Sequence, residues 1–158
     1  MNHPLTLSTA SEIGCLLIET SKAEEALALL ADPFANNSKS VGQEHPITLL
    51  LFGDIVACYE KLPHLEEAEK LERDILAIQE LPIGPDNPDT IQTVIYLSTT
   101  LTAQEPYDEA EKLALRAVET YKRTFGPRHP KTLEYYSVYA VILGEMRKFD
   151  EASALSVL

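Results

Sequence analysis

Apolar side chains recur along the chain at helical intervals. They fall at Leu7, Ala10, Ile13 and Leu17, at Leu49, Phe52, Ile55 and Tyr59, at Ile91, Val94, Leu97 and Leu101, and at Leu133, Tyr136, Tyr139 and Leu143. Steps of three, three and four residues place each set on one stripe of a helix. Beside the third member of each set stand Gly14, Val56, Ser98 and Ala140, mostly small, which suits the close approach of a second helix. A second kind of stretch opens with Glu25-Ala26, Glu67-Ala68, Glu109-Ala110 and Glu151-Ala152, and Leu29, Leu71, Leu113 and Leu155 follow in register. Acidic residues in a first turn favour the positive end of a helix dipole, and alanine lets two helices touch. The pattern predicts antiparallel helix pairs, A then B, with helix A over 5–19, 46–61, 88–103 and 130–146. Helix B is expected over 22–32, 65–81, 107–124 and 149–158.

The pairs are set out at one fixed period. Pro4, Pro46, Pro88 and Pro130 are each 42 residues apart (46 − 4, 88 − 46, 130 − 88). His3, His45, Asn87 and His129 precede them, and Thr6, Thr48, Thr90 and Thr132 follow two residues later. Proline suits the first position of a helix and pushes the residue before it out of the helical region, where Asn87 is a good N-cap and histidine a weaker one. Gly42, Gly84 and Gly126 supply left-handed closures for the B helices. A period of about 20–50 residues marks a stacked repeat protein. One array is therefore expected over 1–158, with repeats at about 3–44, 45–86, 87–128 and 129–158, the last truncated as in a piece of a longer array. Two features break the pattern. Pro33 is expected to break or kink the first B helix, and Asn36-Asn37-Ser38-Lys39-Ser40 reads as a polar loop.

The His-Pro-x-Thr-Leu start, the Glu-Ala-Glu of the second helix and the 42-residue period resemble the tetratricopeptide repeat of the kinesin light chain type. The resemblance covers essentially the whole chain. It implies an all-α, right-handed superhelix of antiparallel helix pairs, a TPR solenoid whose A helices line a concave groove for peptides or proteins. It also implies a place in a larger multidomain protein, and such arrays occur as sensor or scaffold parts of nucleotide-binding signalling proteins. The family glycine between helices A and B is replaced by Ser21, Pro63, Glu105 and Arg147, and Pro63 and Pro106 suggest rigid turns. The family asparagine that holds a peptide backbone is replaced by Glu12, Asp54, Tyr96 and Val138, so an asparagine-clamped peptide is not expected.

The helix A stripe left over after burial gives the candidate partner-binding residues Glu12, Leu50, Asp54, Gln92, Ile95, Tyr96, Thr99, Glu134 and Val138, and it extends to Ala103, Val141 and Glu145. Its centre is aromatic and aliphatic and its ends are acidic, which suits a basic, amphipathic protein segment with Tyr96 as an anchor. The charge agrees. With 13 basic against 25 acidic residues the net charge is −12, which disfavours nucleic acid and anionic membrane surfaces.

Other chemistry finds little support. His3, His45 and His129 sit in successive layers about 10 Å apart, too far to share one ion, so capping is the better account. No phosphate loop, nucleophile elbow or H-E-x-x-H occurs, so neither an enzyme nor a cofactor is expected. Cys15 and Cys58 show no disulfide or metal spacing, and no apolar run reaches the roughly 18–20 residues of a membrane span. A reducing, cytoplasmic setting is expected. The expected function is a protein–protein interaction scaffold. The alternative is homotypic oligomerisation or autoinhibition through the truncated last hairpin, where Phe149, Leu155 and Leu158 lack a following helix.

Overall fold

The computed structural model describes residues 4–42, 45–105 and 107–155. Eight α-helices run through these described residues, without a strand: α1 (Pro4–Glu19), α2 (Ala23–Val41), α3 (Pro46–Tyr59), α4 (Leu65–Glu80), α5 (Pro88–Ala103), α6 (Tyr107–Phe125), α7 (Pro130–Glu145) and α8 (Phe149–Leu155). The chain divides into two compact units, residues 1–71 and 72–158, with the division inside α4. His3, Pro106 and Leu158 lie outside the described residues, as does the side chain of Leu155.

In the first unit Leu7, Ala26, Leu30, Leu51, Ile55 and Cys58 form the core. Gly14 shows why that position is small. A Cβ there would stand 2.8 Å from Leu30 Cδ1, so any larger residue would have to displace the buried Leu30 side chain. In the second unit the core is larger, from Ile91, Val94, Ile95, Leu97 and Leu101 on α5 through Ala110, Ala114 and Ala117 on α6 to Tyr135, Tyr139 and Leu143 on α7. The alanine that follows the acidic start of helix B is buried at Ala26, Ala68 and Ala110. Two members of the apolar stripe, Ile13 and Leu133, are exposed, and Ala10, Leu17, Leu49 and Tyr59 are only partly buried.

The first B helix departs from expectation. It does not break at Pro33 but continues to Val41. The stretch 36–40 is helical rather than a loop, because Asn37 is needed inside: it is buried and donates from Nδ2 to Thr48 Oγ1 at 2.8 Å. Packing of this turn offsets the N–H that proline cannot supply.

The joints between repeats are built alike. Thr48, Thr90 and Thr132 are fully buried, and each hydroxyl donates to the carbonyl of the glycine six residues before it, Gly42 at 2.8 Å, Gly84 at 2.9 Å and Gly126 at 3.0 Å. These glycines take positive φ values of 100°, 93° and 89°. At Gly42 ψ is 161°, so the backbone there is extended rather than left-handed helical, a region nearly closed to any other residue. The residue before Pro46, Pro88 and Pro130 caps the A helix that follows. Asn87 Oδ1 accepts from Asp89 N at 2.9 Å, and His45 and His129 accept on Nδ1 from Ile47 N at 3.3 Å and Lys131 N at 3.2 Å. A histidine caps only as the neutral ring, since the accepting nitrogen must keep its lone pair.

The A-to-B turns keep the geometry of glycine without glycine. Ser21, Glu105 and Arg147 have φ of 61°, 70° and 59°. Around Ser21, Lys22 N donates to Leu17 O and Ser21 N to Ile18 O; around Arg147, Lys148 N donates to Leu143 O and Arg147 N to Gly144 O. Both are Schellman closures.

Candidate interaction site

The predicted stripe separates into three groups once placed. In the first unit Glu12 and Leu50 are exposed, Leu50 by 46%. Asp54 is not a surface residue: it is 9% exposed, and its Oδ1 accepts from Cys15 Sγ at 3.5 Å. Burial lifts the Asp54 carboxyl above its ordinary pKa, and hydrogen bonds from Ser11 and Cys15 oppose that rise. Cys58, one turn further along α3, is buried, and its thiol is pushed up to about 11 by burial, with the charges of Asp54 and Cys15 adding to the effect. Cys15 is raised too, by burial first and then by Asp54. Both sulfurs are therefore held as thiols, the form poor in nucleophilicity.

In the second unit Ile95 is only 4% exposed and belongs to the core, which corrects its assignment to the groove. Gln92 is already engaged, because its Oε1 accepts from Lys131 Nζ and from Tyr135 Oη, each at 3.1 Å. Lys131 also pairs with Glu134 at 3.0 Å, so that carboxylate is partly neutralised. Tyr96 is half-buried beside the buried Tyr135. Of the predicted residues, Gln92 and Glu134 are thus engaged with side chains of α7, while Tyr96 keeps part of its surface open.

An open space appears one to two turns further along the same face. Thr99, Thr102 and Ala103 of α5, Val138, Val141 and Ile142 of α7, and Glu105, Tyr107 and Glu145 at its mouth enclose about 410 Å³. Thr99 and Val138 were among the predicted residues, and Ala103, Val141 and Glu145 lie on the same stripe. Sequence reasoning missed Thr102, Glu105, Tyr107 and Ile142. The signal was the turn itself, since Glu105 stands where glycine would close the helix and its positive φ carries the side chain to the mouth. A second recess of about 470 Å³ shares Glu105 and Tyr107 and adds Asp108, Glu109 and Met146. Tyr107 is held above its ordinary pKa by burial and then by the nearby carboxylates of Glu105 and Glu145.

Around the site, ion pairs join helices of the second unit: Arg73 to Glu109 by two bonds of 2.9 Å, Arg116 to Glu80 at 2.8 Å and Lys148 to Glu111 at 2.7 Å. The Arg73 hydrogen bond lowers the Glu109 carboxyl. Among the described residues no group of three histidine, cysteine, aspartate or glutamate side chains is arranged to hold a metal ion, and no helix is long and apolar enough to cross a membrane.

Comparisons with known proteins agree with this architecture. Residues 83–156 match the tetratricopeptide repeat family. No curated protein matches the sequence. Among solved structures, the kinesin light chain nearly identical TPR-like repeats of Podosopora anserina superpose with a TM-score of 0.86 at 24% identity, over 98% of this chain and 74% of that one. BtubC (BKLC) of P. vanneervenii superposes with a TM-score of 0.80 at 14% identity, over 94% of this chain and 58% of that one. Residues 83–156 thus match the tetratricopeptide repeat family, and nearly the whole chain shares the fold of kinesin light chain-like repeats.

Proposed function

We propose that the chain is a single repeat array that serves as a protein-interaction scaffold. It binds a basic, amphipathic peptide or protein segment on its A-helix face, within a larger cytoplasmic protein. One observation carries this reading: an apolar-walled recess lies open on the predicted stripe, and Val141 at its wall keeps 60% of its surface exposed. Exposed apolar surface rimmed by polar groups is where partners dock. The fold itself is a scaffold fold, with its side chains spent on helix packing and joints.

The test is to pan a random twelve-residue display library on the full chain and map the binders with variants. Tyr96→Ala and Val141→Ser should each weaken binding while moving the melting temperature by only a few degrees. Leu115→Ser, at an exposed position on α6, should leave affinity unchanged. An empty library, or binders indifferent to both stripe variants, would overturn the groove.

A second reading has its own observation. Phe149 of α8 is 62% exposed, an apolar side chain suited to a second copy of the chain. Light scattering after size exclusion decides it: a monomer at every concentration tested removes self-association.

A further inference from the structure

The recess between α5 and α7 has walls of one chemistry and a mouth of another. Val138, Val141, Ile142 and Ala103 offer carbon, while the mouth holds the carboxylates of Glu105 and Glu145. Neither carboxylate has a hydrogen bond or ion pair among the described residues, although six other acidic side chains of this unit, Glu80, Asp86, Glu109, Glu111, Glu119 and Glu134, are paired with lysine or arginine. Glu105 also occupies its place at a cost. A left-handed backbone disfavours any residue with a Cβ by about 1–2 kcal/mol, and glycine there would remove both the strain and the carboxylate. Strain retained at a recess is a reason to ask what its side chain does.

Resting on the groove reading above, we infer that this recess is a subsite for one lysine or arginine side chain of the partner. The alkyl stem lies against Val138 and Val141, and the cationic head lies between Glu105 and Glu145. Long basic side chains bury their stems on apolar surface and keep their heads at a polar rim, so one side chain satisfies both chemistries. A purely aliphatic side chain would leave the two carboxylates unmatched, and an acidic one would meet them with like charge. The adjoining recess at Asp108 extends the negative rim in the direction a second basic residue would take.

The experiment uses defined probes and the full chain. Methyl resonances of Val138, Val141 and Ile142 are followed while N-acetyl-lysine N-methylamide, its arginine counterpart and its norleucine counterpart are titrated separately. The two cationic probes should bind roughly three- to tenfold more tightly than norleucine, a range set by partly exposed charge pairs. That preference should vanish in the double variant Glu105→Gln, Glu145→Gln, whose methyl spectrum otherwise stays that of the folded chain. Equal binding of norleucine, a preference that survives the double variant, or no shift with any probe would each overturn the subsite. Library panning remains an independent check. Binders sensitive to Tyr96→Ala but not to the double variant would keep the groove and remove the subsite, whereas the absence of any binder would remove both.

Discussion

Single residues carry two kinds of tension in this chain, one in the backbone and one in charge. Ser21, Glu105 and Arg147 each hold a φ near +60°. Glycine would gain about 1–2 kcal/mol in the folded state there and lose about 0.4–1 kcal/mol through a looser unfolded chain. Arg147→Gly and Glu105→Gly should therefore each stabilise by roughly 0.5–1 kcal/mol, read as a raised urea midpoint at unchanged slope. A fall in midpoint would mean that contacts of the replaced side chain outweigh its strain. Glu105→Gly should in addition lose the preference for cationic probes, so the more stable variant would be the poorer binder. Charge tension sits at Asp54. Its carboxyl is raised above the ordinary 3.8, chiefly by burial, so the folded state holds that proton more tightly than the unfolded chain does. Stability from this group is highest below pH 3.8, declines as pH rises through the folded pKa, and stays low at neutrality. Asp54→Asn should remove that decline: its urea midpoint should match the parent in acid and exceed it at pH 7. A variant less stable than the parent at pH 7 would show that the ionised carboxylate is favourable where it lies.

Elements were legible where period and chemistry agreed. The A helices start at Pro4, Pro46, Pro88 and Pro130, and their ends fall within two residues of expectation, because a proline start and an apolar stripe are both local signals. Helix α2 was misread because its evidence is not local. Pro33 and the polar run after it argue against a helix by propensity, and only the buried contact of Asn37 with Thr48, eleven residues on, reverses that. The candidate site shows the same limit. Thr99 and Val138 came from the stripe, but the burial of Ile95 and Asp54 depends on how neighbouring helices turn, and Glu105 entered through a backbone angle that composition does not reveal. Helix α2 also offers a measurement. Interior proline costs a helix about 3 kcal/mol relative to alanine, less what proline saves by stiffening the unfolded chain. Pro33→Ala should thus raise stability by about 2 kcal/mol. Little or no gain would show that the helix is shaped around the proline.

Across the whole molecule stability is uneven. Among the described residues, sixteen buried apolar side chains lie in residues 72–158, against ten in residues 1–71. Ion pairs joining different helices also concentrate in the second unit: Arg73–Glu109, Arg116–Glu80 and Lys148–Glu111 link residues more than thirty positions apart. In the first unit the pairs Lys22–Glu25 and His64–Glu67 join near neighbours in sequence. Partly exposed pairs contribute at most about 1 kcal/mol each, so the difference in core is the larger effect. Repeat proteins distribute stability unit by unit and open from their weaker part. Amide hydrogen exchange followed by mass spectrometry should therefore show α1 and α2 opening at free energies about 1–2 kcal/mol or more below those of α5, α6 and the first turns of α7. The joint predicts one finer feature inside that pattern. Where Thr90 binds the carbonyl of Gly84 and Asn87 caps α5, the first amides of α5 should exchange as slowly as its middle rather than fray. Equal protection of α1 and α5 would mean that the two units open together, and the contrast in their cores would then not govern how the chain unfolds.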